Sequence, residues 1–339
     1  FRIHNFISQI LGTIIAPSSP TSWDGLDSSQ WIAFKDVTGL NVYGSGLING
    51  QGMLWWDQSC RYHPNKVRQI NPKSNVAYRK LQVLNFLSCN EGTLSNIHIV
   101  NSPQTHVLII DSKGFNVDNV MIQSPQNTPN TDGDDCISIG DFTSNIDIAN
   151  IKCGPGHGIR CAIPSPTLPP RVKKASKIFI KFHFLWFVNS IGSLGKDGEM
   201  VQVENIHISD SSFKQTTNGA RIKTWQVGQG NVRHVIFENL VFDDVENPII
   251  IDQYYCAVRG MCKEEKTGVK ISDVVYKNLY GTSSSKIAIN LNCSRYVPCS
   301  GISMKNINLV STQPGNPVTS SCTNAVGTEV GVNPACLRN

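Results

Sequence analysis

Little of this 339-residue chain is charged: Asp, Glu, Lys and Arg together make up 16%. The net charge is +5, with the lysines and arginines scattered rather than bunched. That excludes the basic stripe of a nucleic-acid binder. A mild positive field suits an acidic partner, and equally plain solubility. Convincing amphipathic helices are missing. No CxxC and no HExxH occurs, so zinc-site spacings are absent although cysteines number eleven. The most apolar run, IFIKFHFLWFV from Ile178 to Val188, is too short for a membrane span and contains Lys181 and His183. No membrane partner is expected. From Phe1 onward there is no charged n-region, apolar stretch and cleavage site in order, so no signal peptide is expected within these residues.

What is present is a set of closely spaced cysteines and a repeat. Cys256/Cys262, Cys293/Cys299 and Cys322/Cys336 form close pairs, the usage of a disulfide-bearing secreted protein. Asn292-Cys293-Ser294 fits the N-glycosylation pattern. The repeat is an Asn followed by alternating apolar residues: SNIHIVNS, DNVMIQSP, ANIKCG, ENIHISDS, ENLVFDDV, KNLYGTSS, KNINLVST. Each reads as a short strand with one apolar face, ended by a polar turn. The Asn positions are 96, 119, 150, 205, 239, 278 and 306, at intervals of 23, 31, 55, 34, 39 and 28. No helical pattern lies between the strands, so leucine-rich and ankyrin repeats fit badly. A parallel β-helix, in which each coil buries its inward side chains by stacking on the next, fits better than an antiparallel sandwich. The sandwich does not explain the recurring Asn.

The chemistry is concentrated elsewhere. NTPNTDGDDCISIG, Asn127 to Gly140, holds three aspartates in four positions: Asp132, Asp134 and Asp135. Crowding like charges raises the pKa of one of them, which keeps an acid protonated near working pH. CGPGHGI, Cys153 to Ile159, contains His157, which reads alone as a hydrogen-bonded loop histidine as readily as a catalytic one. No helix or Lys-Ser follows its glycines, so it is not a phosphate loop. In ARIKTW, Ala220 to Trp225, Arg221 and Lys223 alternate on a strand and share one face. Two cations there read either as a solvated face or as a grip for a carboxylate, which Arg holds bidentately. NPIIIDQYYC ends at Cys256.

Together NTDG, GDDC, CGPGHGI, ARIKTW and NPIIIDQYYC resemble the plant polygalacturonases of glycoside hydrolase family 28, from about Leu11 to the C-terminus. LGTIIAPSSPTSW and GLINGQGMLWWDQSC are also typical. The resemblance implies an all-β fold, a right-handed single-stranded parallel β-helix. It implies a monomer without cofactor or metal that cleaves the α-1,4-galacturonosidic bonds of pectin, outside the cell in the plant wall, by inversion. Inverting enzymes hold two carboxyl groups roughly 6.5–9.5 Å apart to admit a water. By resemblance Asp134 is the general acid, Asp132 and Asp135 hold and activate the water, and His157 tunes protonation. Asn130, Arg221, Lys223 and Tyr255 contact substrate, with Tyr254 the fallback for Tyr255. The alternatives are a calcium-dependent pectate lyase, against which GHG and RIK argue, and an inactive homologue that binds pectin.

Three departures from the family pattern stand out. NTDG and GDDC share Gly133, whereas relatives carry them on successive coils, so about one coil of roughly twenty residues is missing near 133. On an extended run Asp132 and Asp134 share a face and Asp135 points away. Relatives continue GHGI directly into SIGSLGK; here residues 160–189 intervene, rich in Phe, Lys, Ile and Pro, and read as a non-native insertion in a single domain spanning 1–339. The insertion also supplies Cys161, without which the cysteines number ten. Finally, Phe1 to Ile10 does not match the first coils, so an N-terminal cap is expected to be missing and Cys60 and Cys89 to lack partners.

Overall fold

The computed structural model describes residues 3–23, 30–57, 82–125, 136–155, 190–256 and 262–337. Asn130, Asp132, Asp134, Asp135 and His157 lie outside the described residues, as does the 160–189 segment. Among the described residues helix is confined to Met53–Asp57 and two 3₁₀ turns, Pro20–Trp23 and Lys196–Gly198. No helix there is long and apolar enough to cross a membrane.

Short strands stack in parallel, each on the equivalent strand of the next coil. One stack runs from Ile7–Gln9 through Asn41–Tyr43, Thr93–Ser95 and Lys113–Asp118 to Thr143–Ala149. A second runs from Thr13–Ile15 through Leu47–Asn49, His98–Val100 and Met121–Gln123 to Lys152–Cys153. The two merge at Met200–Lys214, which pairs with both Thr143–Ala149 and Lys152–Cys153. Later coils cross the corner as one continuous strand. The remaining side is a nine-stranded sheet, here called the third sheet, from Gln30–Lys35 to Thr319–Thr323. At the edge formed by Ile7–Gln9 and Thr13–Ile15, the side chains of Ile7, Leu11 and Ile15 are exposed.

The recurring Asn makes the corner between the first two stacks. Asn96, Asn119, Asn150, Asn239, Asn278 and Asn306 all have φ between 50° and 58°, a region Asn tolerates better than most residues. Their side chains bond along the axis: Asn119 Nδ2 donates to Asn96 Oδ1 at 2.8 Å, Asn278 to Asn239 at 2.9 Å and Asn306 to Asn278 at 2.9 Å. One member of the sequence series is misplaced. Asn205 belongs to a neighbouring corner, where it donates to Asn145 at 2.8 Å. Asp210 takes its place in the main ladder, accepting from Asn239 at 2.9 Å. The coil between Ile151 and Ser211 is therefore 60 residues long rather than 55. An Asp and an Asn serve equally as left-handed corner residues, and the repeat pattern alone could not choose between them.

Inside, alternate residues form apolar rows one side chain per coil, such as Ile208, Phe237, Tyr276 and Met304. Phe237 and Tyr276 stack at 5.2 Å between centroids. The Tyr276 hydroxyl is buried without a hydrogen-bond partner, and burial pushes its pKa far up. An unmet buried hydroxyl costs free energy that an apolar side chain of the same shape does not. Tyr276→Phe is therefore expected to raise stability by about 1 kcal/mol in urea unfolding. A loss of that size would show that the hydroxyl is bonded after all.

The three expected close pairs are disulfides: Cys256–Cys262, Cys293–Cys299 and Cys322–Cys336. A fourth, Cys136–Cys153, was not foreseen. Cys89 is free and buried, as expected.

Candidate active site

The third sheet carries the candidate cations. On the strand Asn218–Trp225, Ala220 and Ile222 are buried in the core, so Arg221 and Lys223 face outward on alternate positions. The shared face expected from the sequence is thus present. Arg221 is half-buried. Lys223, although it faces out of the coil, is only 1% exposed. Its ammonium lies 5.3 Å from the centroid of the Tyr255 ring, which attracts a cation through its negative face. Tyr255 is held edge-on by Trp225, with centroids 5.1 Å apart. The strand register explains this meeting, since Trp225 and Tyr255 are partners on adjacent strands. Arg221, Lys223 and Tyr255 therefore form one constellation. Tyr254 is turned away from it, donating its hydroxyl to Glu264 Oε1 at 3.2 Å.

The described residues that flank the other candidates belong to neighbouring strands of the same sheet. Residues 126–135, with the aspartates, lead directly into Cys136 and the strand Ile137–Ile139. Residues 156–189, with His157, lead directly into Ser190–Leu194. Ile137–Ile139 pairs with Ser190–Leu194, which pairs with the Arg221 strand. Ser138, Ser190 and Arg221 stand in one register row. The Cys136–Cys153 disulfide, with Cα atoms 6.1 Å apart, fixes the end of the aspartate segment to the residue three before the His157 segment.

Sequence reading missed three contributors. Trp225 orients Tyr255. Ser138 is buried with its hydroxyl unpartnered, two strands from Arg221 in the same register row. Asp252, register partner of Lys223, stands beside it on the next strand. The alternation of NPIIIDQYY was the available signal for Asp252, because Ile249 and Ile251 must point inward. No group of three or more potential metal ligands occurs among the described residues.

Comparison with known proteins gives the family and the fold. The sequence model for "Glycosyl hydrolases family 28" matches residues 9–133, 132–165 and 189–336. Polygalacturonase QRT2 of Arabidopsis thaliana is 35% identical over 350 aligned residues, covering 97% of this chain and 70% of that protein. A polygalacturonase of Persea americana is 35% identical over 337, covering 94% and 64%. Among solved structures, an endo-xylogalacturonan hydrolase from Aspergillus tubingensis superposes with a TM-score of 0.68 at 19% identity, covering 99% of this chain and 86% of that one. A polygalacturonase from Erwinia carotovora gives 0.55 at 20% identity, covering 98% and 86%. The structural likenesses carry the fold.

Proposed function

This chain belongs to family 28 of the glycosyl hydrolases, and on that basis we propose that it hydrolyses the α-1,4-galacturonosidic bonds of pectin with inversion, as a secreted protein of the plant cell wall. The observation that carries the reading is the cationic pair on one outer strand face, with Lys223 under the Tyr255 ring. Two cations on one outer strand face suit a galacturonate carboxylate. Arg221 grips it bidentately and Lys223 adds a point charge. Tyr255 offers a ring to the sugar face. Asn130 lies in the same segment as the acids and serves as a further substrate contact.

In the proposed reaction Asp134 protonates the leaving glycosidic oxygen. Asp132 and Asp135 hold a water on the opposite side of the ring and take its proton as it attacks the anomeric carbon. His157 hydrogen-bonds within this group and sets which carboxyl keeps its proton. The water's oxygen becomes the new anomeric hydroxyl, and the leaving sugar departs as an alcohol, so no other reactant is required. The disulfides support passage through an oxidising compartment.

The test is release of reducing ends from polygalacturonate by the purified chain. Asp134→Asn is expected to reduce the rate by at least about 10²-fold, the usual contribution of a general acid. An unchanged rate would remove Asp134 from that role. Unsaturated, ultraviolet-absorbing products lost on adding a chelator would identify a lyase instead.

A further inference from the structure

Asn-x-Ser/Thr, with x other than Pro, occurs once in the whole sequence, at Asn292-Cys293-Ser294. Hydrolysis of pectin makes no use of it. Asn292 ends the strand Ile287–Asn292 of the third sheet. Ile289 and Leu291 point into the core, so Asn292 faces outward, where it is half-buried. Its register partners are Asp252 on one side and the exposed Thr323 on the other. Among the described residues its amide nitrogen reaches Asp252 Oδ1, at 3.5 Å, beyond the usual hydrogen-bond range. The corner asparagines differ. Asn119, Asn239, Asn278 and Asn306 each commit the amide nitrogen to the neighbouring coil at 2.8 to 2.9 Å, and none of them stands in such a motif. The rest of the motif is closed off by the fold. Ser294 is 5% exposed, and its Oγ accepts from the Tyr296 and Val297 backbone N–H groups at 3.2 and 3.4 Å. Cys293 is bonded to Cys299, and both are buried.

We propose that Asn292 carries an N-linked glycan, and that the glycan is added before the Cys293–Cys299 disulfide closes. The donor is a lipid-linked oligosaccharide pyrophosphate. The Asn292 amide nitrogen forms a bond to C1 of its first sugar, the bond from C1 to the pyrophosphate oxygen breaks, and the lipid pyrophosphate leaves. The nitrogen loses one of its two protons, and the other still points a donor towards Asp252. The order follows from access. Transfer reads the Asn and the hydroxyl two residues on together, and the folded chain buries that hydroxyl while the open chain offers both. Ser294 leaves the ribosome before Cys299, which stands six residues after Cys293, and disulfide formation takes seconds or longer. The open motif is therefore available first. Once the coil closes, the glycan projects from the outward face and keeps that surface hydrated. The inference takes from the proposed function only the passage through a secretory compartment.

The experiment expresses the full chain behind a secretion signal in plant cells, beside Asn292→Gln and Cys299→Ser. Total chain is collected, so that a variant which fails to fold is still scored. Mass spectrometry before and after peptide-N-glycosidase, which leaves an aspartate in place of a glycosylated Asn, gives the occupied fraction. The wild-type chain is expected to carry one glycan, at Asn292, and Asn292→Gln to lose it entirely. Occupancy in Cys299→Ser, where the disulfide cannot form, is expected to equal or exceed that of the wild type. A bare Asn292 in the wild-type chain would overturn the site. Occupancy that falls in Cys299→Ser would overturn the order of events. Because the signal is supplied, either failure leaves the pectin-hydrolase reading, judged by reducing ends, standing.

Discussion

Deleting residues 160–189 is expected to raise hydrolysis of polygalacturonate by about 10²-fold and to move the unfolding midpoint little. The two parts of this expectation have different causes. Joining Ile159 to Ser190 puts His157 three residues before a strand whose place is fixed on both sides. Ser190 pairs with Ser138 towards the aspartate segment and with Arg221 towards the cationic pair. A short tether of that kind confines His157 beside the carboxylates, and a misplacement of about 1 Å in such a group costs on the order of 10²-fold. Stability responds weakly, because halving a loop changes its closure cost by only about 0.6 kcal/mol. The geometry of the coil agrees with the deletion. The long coil holds 60 residues, and without the 30 of the segment it matches neighbours of 31, from Asn119 to Asn150, and 29, from Asp210 to Asn239. Activity measured beside a thermal scan checks both parts. A fall in activity would mean that the segment contributes to the cleft.

Lys223→Met is expected to weaken binding of an oligogalacturonide by about ten- to a hundredfold. A hydrogen bond to a charged group is worth about 1.5–3 kcal/mol, which is that range in affinity. Methionine keeps an unbranched stem against the Tyr255 ring, so the packing around Trp225 and Tyr255 is retained while the charge is lost. The loss should shrink for a methyl-esterified oligomer, which offers no carboxylate to the ammonium. Calorimetric titration with both ligands measures it. An equal loss for both would assign Lys223 a packing role rather than a charge role.

Much of this was legible in the residues themselves. The Asn-led strands gave the solenoid because a left-handed corner tolerates few residue types, and Asn recurs at Asn96, Asn119, Asn239, Asn278 and Asn306. Alternation in ARIKTW was enough to place Arg221 and Lys223 on one face. Long-range register was not legible. That Trp225 meets Tyr255, that Asp252 sits beside Lys223 and that Cys136 reaches Cys153 depend on how coils of unequal length stack. Asp210 replaced Asn205 in the ladder for the same reason. Burial of Lys223 was equally hidden, since an outward strand position is normally solvated and this one lies beneath an aromatic ring.

The decisive measurement follows the anomeric protons by NMR while the chain, with and without residues 160–189, acts on polygalacturonate. New reducing ends that appear first as the β-anomer are the predicted result, because inversion at an α-linkage gives that product. An α-anomer appearing first, an unsaturated product, or no reducing ends from either form would contradict an inverting pectin hydrolase built around Arg221 and Lys223.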